Sequence, residues 1–451
     1  MWSLESIVQG VGGCAARVEK TTFSGISTDS RTIGPGEFFI PLKGPNFDGH
    51  AFINAAYERS GGGCLCDRTK QEAFARSRGT VILVDDANKA LLDLASYKRG
   101  QISAAFVAIT GSNGKTTTKE LLVSLLRDHV RVASSEKNYN NWVGAAKTML
   151  AVEGSPDYCI FELGTNHRGE MRRLAAMVRP NMSLITNVAA SHLEGLADLE
   201  GVRREKLELF EATLGGGAVF LNADDPSLAP YRRADCAIHT FGMRGPAHFT
   251  LRVASDAGLE GFEIECDMKG EKIRTRTRLL GRHNLYNVLA AATLAFAMGV
   301  KGGALADGIA AFEPYRGRFR PVRAGGGYTI IDDAYNANPA SMEWALRTLS
   351  TLPCKGKRVA ILGDMRELGD RTEECHRELG RLIRTSNLSC VLVVGEAMKA
   401  AASETENGRV RVFDDKKRLV EFAKGRLKRD DLVLVKGSRA LGLDEVVEAL
   451  G

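Results

Sequence analysis

Gly111-Ser112-Asn113-Gly114-Lys115-Thr116-Thr117-Thr118 is the stretch whose reading decides the fold of this chain. The apolar run Phe106-Val107-Ala108-Ile109 leads into it, and Leu121, Leu122, Leu125 and Leu126 follow on one helical face. Strand, glycine turn and helix, in that order, are the setting a phosphate loop requires. The glycines let backbone N–H groups converge on phosphate oxygens, and the helix N-terminus adds partial positive charge at the same point. Lys115 would neutralise terminal phosphates, and the Thr116 hydroxyl could hold Mg²⁺. The turn is shorter than in G-x-x-x-x-G-K-[ST] proteins, because Ile109 stands in the first glycine's place and the nearest upstream glycine is Gly111. A turn that only caps a helix would account for the glycines, but not for Gly-Lys-Thr-Thr between strand and helix.

Working outward, short apolar runs alternate with helical stretches on both sides of the loop. Phe38 to Leu42 and Val81 to Val84 read as strands of a small N-terminal α/β unit, with a short helix from Ala51 to Tyr57 that runs out at Gly61. Tyr158 to Phe161, Ser183 to Thr186 and Ala218 to Leu221 continue a mostly parallel central sheet with crossover helices. Residues 248–280 alternate polar and apolar positions, as half-exposed antiparallel strands would. After Pro314 a second alternating block has strands at Tyr328 to Asp332, Val359 to Leu362, Val391 to Val394 and Leu432 to Val435. The expected fold is α/β in three domains: a small N-terminal α/β domain (1–99), a central phosphate-loop nucleotide-binding domain (100–313) and a C-terminal Rossmann-like domain (314–451).

Length and composition agree with that division, since 451 residues allow two or three domains with cores of their own. Hydrophobic residues at 44% and charged residues at 26% are ordinary for a soluble protein. A net charge of +6, spread along the chain, favours anionic substrates weakly and falls short of a nucleic-acid footprint, so no nucleic-acid partner is expected. There is no run of 18 apolar residues, hence no expected membrane span, and the start lacks a signal-peptide pattern. The nine cysteines are an odd number without a C-x-x-C, which argues against zinc and a disulfide framework and for a cytoplasmic location. No assembly motif is visible, and a monomer is expected.

Polar residues at the carboxyl ends of the central strands are the candidate ligand groups. Glu162 follows Tyr158 to Phe161, and His192 follows the strand near Leu184. With the Thr116 hydroxyl they could hold a divalent metal beside a polyphosphate, although either alone reads more readily as a solvated Glu or a hydrogen-bonding His. Lys206, in Arg203-Arg204-Glu205-Lys206-Leu207-Glu208, reads from its surroundings as a surface lysine on a charged helix. In Asp332-Asp333-Ala334-Tyr335-Asn336-Ala337-Asn338-Pro339, two acids end a strand and an Asn-Pro turn launches a helix near Ser341. Asn284 and Asn287 are three apart on an alanine-rich helix; their amides could read an adenine edge, or Asn284 could be the helix cap.

Taken together, these motifs resemble the Mur ligases of peptidoglycan synthesis over nearly the whole chain. The resemblance rests on Gly111 to Thr117, Asn138-Tyr139-Asn140-Asn141, Glu162-Leu163-Gly164, His192-Leu193-Glu194-Gly195, Lys206, Gly281 to Asn287 and Asp332 to Pro339. Gly363 to Gly369, Val435-Lys436-Gly437-Ser438-Arg439, Ser27 to Arg31 and Asp48-Gly49-His50 add to it. It implies an ATP-dependent amide ligase that acts through an acyl phosphate, and Tyr335-Asn336-Ala337-Asn338-Pro339 points to addition of D-alanyl-D-alanine to UDP-N-acetylmuramoyl tripeptide.

By the same resemblance, Gly111, Ser112, Asn113, Gly114, Lys115, Thr116 and Thr117 bind ATP, with Asn284 and Asn287 at adenine, Asp333 at ribose and Arg318 at the terminal phosphate. Thr116, Glu162, His192 and Lys206, the last as a CO₂-derived carbamate, would hold two Mg²⁺ ions. Lys115, Lys206, His192, Glu162 and Arg318 form the implied catalytic set, completed when the last domain closes. Ser30, Arg31, Asp48, His50, Asn138 and Asn141 would contact the uridine diphosphate–muramoyl substrate. The chain departs from the family at Lys137, at Ala145-Ala146, at Arg168 and at Ser191, where glycine, Val-Pro, proline and alanine are usual. The dipeptide's own contacts are not legible, though Asp364 to Gly369 and His376 lie at a strand end that should face the cleft. A folylpolyglutamate synthase or other sister ligase, and a nucleotide-dependent switch, are the alternatives. The third residue of the peptide, lysine or diaminopimelate, is left open.

Overall fold

The computed structural model describes residues 1–74, 78–135, 139–405 and 408–451. The chain forms two compact units, one of Met1–Phe106, Ala133–Leu163 and Arg173–Arg179, the other of Val107–Val132, Gly164–Arg172 and Pro180–Gly451. All nine cysteines are free thiols. No helix among the described residues is long and apolar enough to cross a membrane.

The first unit holds a five-stranded sheet in the order Cys14–Arg17, Thr80–Val84, Gly63–Asp67, Phe38–Phe39, Ile26–Ser27. Its neighbours pair in parallel except Cys14–Arg17, which runs antiparallel to Thr80–Val84. Thr80–Val84 is buried at every position, as expected of a parallel strand covered on both faces. The strand read as Phe38 to Leu42 is shorter, Phe38–Phe39, because Pro41 has no N–H to give a ladder. The Ala51 helix is a 3₁₀ turn, Gly49–Phe52, capped by Asp48, followed by the helix Ile53–Ser60 that stops at Gly61 with φ +56°. The strand Tyr158–Glu162 and the helix Trp142–Leu150 also belong to this unit.

In the second unit, one sheet runs in the order Glu271–Thr277, Phe262–Met268, Phe249–Asp256, Ala237–Gly242, Ala218–Asn222, Met182–Ile185, Ala105–Thr110. Pairing is parallel from Ala105–Thr110 out to Phe249–Asp256 and antiparallel beyond it. Ala105–Thr110 is buried at every position but its first, whereas Phe262–Met268 alternates buried and more exposed residues. Helix Arg282–Ala297 packs on this sheet and on the helix Lys115–Leu126.

A six-stranded sheet follows in the order Arg320–Arg323, Thr329–Asp333, Leu432–Lys436, Arg358–Gly363, Cys390–Val394, Val410–Phe413. It is parallel apart from its first strand, and helices Pro339–Thr351 and Thr372–Thr385 cross between its strands. One apolar cluster joins the two sheets of this unit, since Ile185, Leu193, Val202, Phe319, Ile331, Met342, Met365 and Leu379 are all buried in it. That shared core fixes the strand ends of one sheet relative to those of the other.

Candidate active site

The phosphate loop is formed as its sequence requires. Gly111 has φ +150° and Gly114 φ +82°, and the helix Lys115–Leu126 starts directly after Gly114. A Cβ on Gly114 would lie 2.1 Å from Asn287 Oδ1, and one on Gly111 would lie 1.8 Å from Thr186 Oγ1. The loop is braced from the segment after Met182–Ile185. Ser112 N–H donates to Asn187 O at 2.9 Å, Asn113 N–H to Asn187 Oδ1 at 3.1 Å, and Thr186 Oγ1 donates to Asn113 O at 2.6 Å. Ser191, one of the departures from the family pattern, donates its hydroxyl to Ser112 Oγ at 3.1 Å. It thus ties the residue before His192 to the loop. Lys115 Nζ donates to Gly111 O at 2.7 Å.

Lys206 is 1% exposed, which corrects the reading of it as a surface lysine. On the helix Leu199–Glu211 the buried positions are Gly201, Val202, Glu205, Lys206, Leu209 and Phe210, so the helical period turns Lys206 inward with the apolar face. Burial, then the neighbouring Lys115, pushes its pKa down to about 7, against an opposing pull from Glu205. Glu205 is itself engaged, accepting the Gly169 and Met171 N–H groups at 2.7 and 2.6 Å. His192 has a pKa below the usual histidine value, through burial first and then through Lys115 and Lys206. Its Nδ1 lies 2.5 Å from Glu367 Oε2, and that hydrogen bond holds the Glu367 carboxyl below its ordinary range.

Residues of the second sheet reach the same loop. Arg318 donates from Nη2 to Thr116 Oγ1 at 3.0 Å and stacks over Tyr335, 3.8 Å from the ring centroid. Its turn is set by Asp332, whose Oδ2 accepts the Gly317 N–H at 2.8 Å. Asn338 caps the helix Pro339–Thr351 with Oδ1 and donates from Nδ2 to Asn113 Oδ1 at 2.9 Å. The helix thus starts at Pro339 rather than near Ser341. Asp333 is held by Lys436, whose Nζ donates to Asp333 Oδ2 at 2.7 Å and to Asn336 O at 2.8 Å. Burial still raises the Asp333 pKa above the carboxylate norm, with Lys436 pulling the other way. Asn284 and Asn287 are both 5% exposed. Asn287 Nδ2 donates to Asn284 Oδ1 at 2.8 Å, and Asn284 Nδ2 to Leu280 O at 2.8 Å. The cap of their helix is Gly281, not Asn284.

The remaining candidates lie in the first unit. Glu162 is 1% exposed, not solvated, and its Oε1 accepts Asn140 Nδ2 at 2.8 Å. Asn141 is a helix cap, accepting Gly144 N–H at 2.8 Å. Asn138 lies outside the described residues. Arg31 pairs with Asp29 through two bonds of 2.9 and 2.8 Å, which lowers the Asp29 pKa to about 2, and Ser30 sits between them in the chain. Asp48 accepts from His50 Nδ1 at 2.7 Å, while His50 Nε2 accepts Asp67 N–H at 3.1 Å. Sequence reasoning gave no separate role to Asn140, Asp332, Glu367 or Lys436. Each was quoted inside a motif, but its partner is remote in sequence.

Among the described residues no three His, Cys, Asp or Glu side chains form a metal cage. The neutral and cationic groups of the second unit, Thr116, His192, Lys115, Lys206 and Arg318, fit Mg²⁺ only in company with phosphate oxygens, which is how that ion is usually held. A glycine loop at a helix N-terminus, at the carboxyl end of a parallel strand and attended by these cations, defines a phosphate-loop nucleotide-binding α/β protein.

Comparison with known proteins narrows the class. Family models match residues 22–99 as a Mur ligase family catalytic domain, 109–295 as a Mur ligase middle domain and 317–439 as a Mur ligase glutamate ligase domain. Over 99% of its length, and 98% of the relative's, the chain is 32% identical to the UDP-N-acetylmuramoyl-tripeptide--D-alanyl-D-alanine ligase of Bacillus subtilis. It is 33% identical to the Escherichia coli ligase of that name, over 95% of this chain and 94% of that one. A crystal structure of MurF from Acinetobacter baumannii matches with a TM-score of 0.90 and 27% identity, over 100% of this chain and 98% of that chain. MurF ligase from Thermotoga maritima in complex with ADP gives 0.82 and 26%, over 94% and 96%. The chain belongs to the Mur ligase family.

Proposed function

We propose that this chain is an ATP-dependent amide ligase that joins D-alanyl-D-alanine to UDP-N-acetylmuramoyl tripeptide. The observation that carries the reading is the match, along 99% of the chain, to a ligase of that name. The chemistry of the site is consistent with it. The tripeptide's terminal carboxylate attacks the γ-phosphoryl group, ADP leaves, and the dipeptide amine attacks the acyl phosphate, releasing phosphate and a proton. The first step brings two anions together, so it needs concentrated positive charge where they meet.

Lys115, next to Thr116 in the chain, and Arg318, bonded to the Thr116 hydroxyl, supply that charge in this chain. Thr116, His192 and Lys206 are the proposed side chains for Mg²⁺, with Lys206 converted to a carbamate. Bound magnesium, two ions in this reading, supplies further neutralisation of the phosphate oxygens. Carbamate formation needs a neutral amine, and a pKa near 7 keeps a large fraction of Lys206 in that form at neutral pH. Contacts such as Arg318 with Thr116 and Asn338 with Asn113 keep water away from the acyl phosphate by covering the loop.

The test is phosphate release from ATP and Mg²⁺ with UDP-N-acetylmuramoyl tripeptide present and D-alanyl-D-alanine added or omitted. Release that requires both substrates and yields the pentapeptide is the expected result. Release indifferent to the dipeptide, with no amide product, would overturn the reading.

A further inference from the structure

The loop after the strand Arg358–Gly363 is bonded at every residue. Asp364 Oδ1 accepts Met398 N–H at 2.9 Å, and its carbonyl accepts Ser438 N–H at 3.1 Å. Met365 N–H donates to His376 Nε2 at 3.1 Å, and Arg366 N–H to Ser438 Oγ at 2.8 Å. His376 is fully buried and donates from Nδ1 to Thr372 O at 2.7 Å, so its tautomer is fixed and both ring nitrogens are used within the fold. His376 therefore serves this loop rather than a cleft. The loop ends on Glu367, which has φ +63°, and Glu367 meets His192, which has φ +52°. Left-handed backbone is uncommon away from glycine, and here it occurs at both partners of one contact.

The contact has two points. Glu367 O accepts Glu194 N–H at 3.2 Å, while Glu367 Oε2 faces His192 Nδ1 at 2.5 Å across 175 residues of sequence. An ionised carboxylate can only accept, so the proton of this bond sits on Nδ1 and the neutral ring keeps its lone pair on Nε2. We propose that Glu367 is the positioning residue of His192: it fixes the Nδ1–H tautomer and the ring direction, so that Nε2 alone is presented to the phosphate end of the site. This inference rests on the ligase reading for its purpose, but its geometry belongs to the chain itself. A chance surface ion pair would not need a loop anchored at each residue, nor two left-handed backbones to bring the pair together.

The experiment uses the full chain labelled with ¹⁵N-histidine, without substrate, at pH 8. With eight histidines in the chain, multiple-bond ¹H–¹⁵N spectra resolve the tautomers, and His192→Gln identifies the relevant signals. Wild type is expected to show His192 as Nδ1–H. Glu367→Gly suits the left-handed backbone and removes the carboxylate, so it should shift His192 toward Nε2–H. Glu367→Gln, which keeps an acceptor oxygen, should hold Nδ1–H. Ligase activity should fall by roughly 10–100-fold in Glu367→Gly and be largely rescued in Glu367→Gln, the usual scale for a group that orients a metal-binding histidine. An Nε2–H ring in wild type, or a tautomer unchanged in Glu367→Gly, would overturn the proposal. Absence of pentapeptide from wild type would instead remove the ligase reading, and the spectra would still decide the positioning.

Discussion

The two ends of the site in the second unit are built in opposite ways. At the Asp333 end, charge meets counter-charge: Lys436 is bonded to Asp333 and to Asn336 O. At the phosphate end, burial and then the neighbouring Lys115 depress the pKa of Lys206, and Arg318 arrives beside Thr116. The first arrangement is stable as it stands. The second leaves like charges close together and gains from any polyanion that enters. Such a site is organised by its protein at one end and completed by its ligand at the other.

The largest expected effect breaks the cationic end. Lys206→Ala should lower pentapeptide formation by at least about 10²–10³-fold, the scale for removing one group that stabilises developing charge. Small carboxylates added to the assay should restore part of it. Unaltered turnover in the variant would remove both the carbamate and the idea that the charge balance at this end matters.

Gly114→Ala should weaken ADP binding by roughly 10–100-fold, since left-handed backbone at a non-glycine residue costs about 1–3 kcal/mol. The new Cβ also meets Asn287 Oδ1 at 2.1 Å. Titration calorimetry on Gly114→Ala and on Gly114→Ala with Asn287→Ala separates the two causes. Recovery in the double variant assigns the loss to the collision, and no recovery assigns it to the backbone.

The paired end should answer in stability rather than in nucleotide affinity. Lys436→Met leaves Asp333 buried without its cation, at a cost of about 3–5 kcal/mol, readable by urea unfolding. Adding Asp333→Asn should recover much of that loss. A single variant as stable as wild type would show that the pair is not what holds this end together.

The smallest effect concerns His283, stacked on Trp344 at 5.7 Å, with its pKa lowered to about 4 by burial and then by Lys436. Unfolded, it titrates near about 6.5. Between those two values the unfolded chain binds the extra proton, so stability is lost as pH falls through that window. His283→Phe keeps the stack and should flatten the fall in melting temperature between pH 6.5 and pH 4. An identical slope would place the acid sensitivity elsewhere.

What the sequence disclosed follows the same division between local and distant. The phosphate loop was legible because strand, glycines and helix are adjacent in the chain, and the antiparallel stretch from 248 to 280 because its period is two. Lys206 was misread because five charges in six residues resemble a solvated face. Val202, Leu209 and Phe210 carry the period that buries it, and they lie just outside that run. The contacts of Arg318 with Thr116, Asn338 with Asn113 and Glu367 with His192 span 202, 225 and 175 residues. No local pattern encodes a meeting across such separations. Arg318 entered only through resemblance, and Glu367 was given no role at His192.

The strand Glu271–Thr277, against which the helix Gly302–Ala311 packs, is the last of its sheet, where unpaired backbone groups could recruit a strand from another molecule. Its exposed positions are Lys272, Arg274 and Arg276, alternating with buried Ile273 and Thr277. A second copy aligning there would bring cations of one strand near those of the other at Lys272, Arg274 and Arg276. The antiparallel extension of the sheet thus ends in a border that resists fibrous aggregation, and replacing those three residues with threonine would be the direct way to invite it.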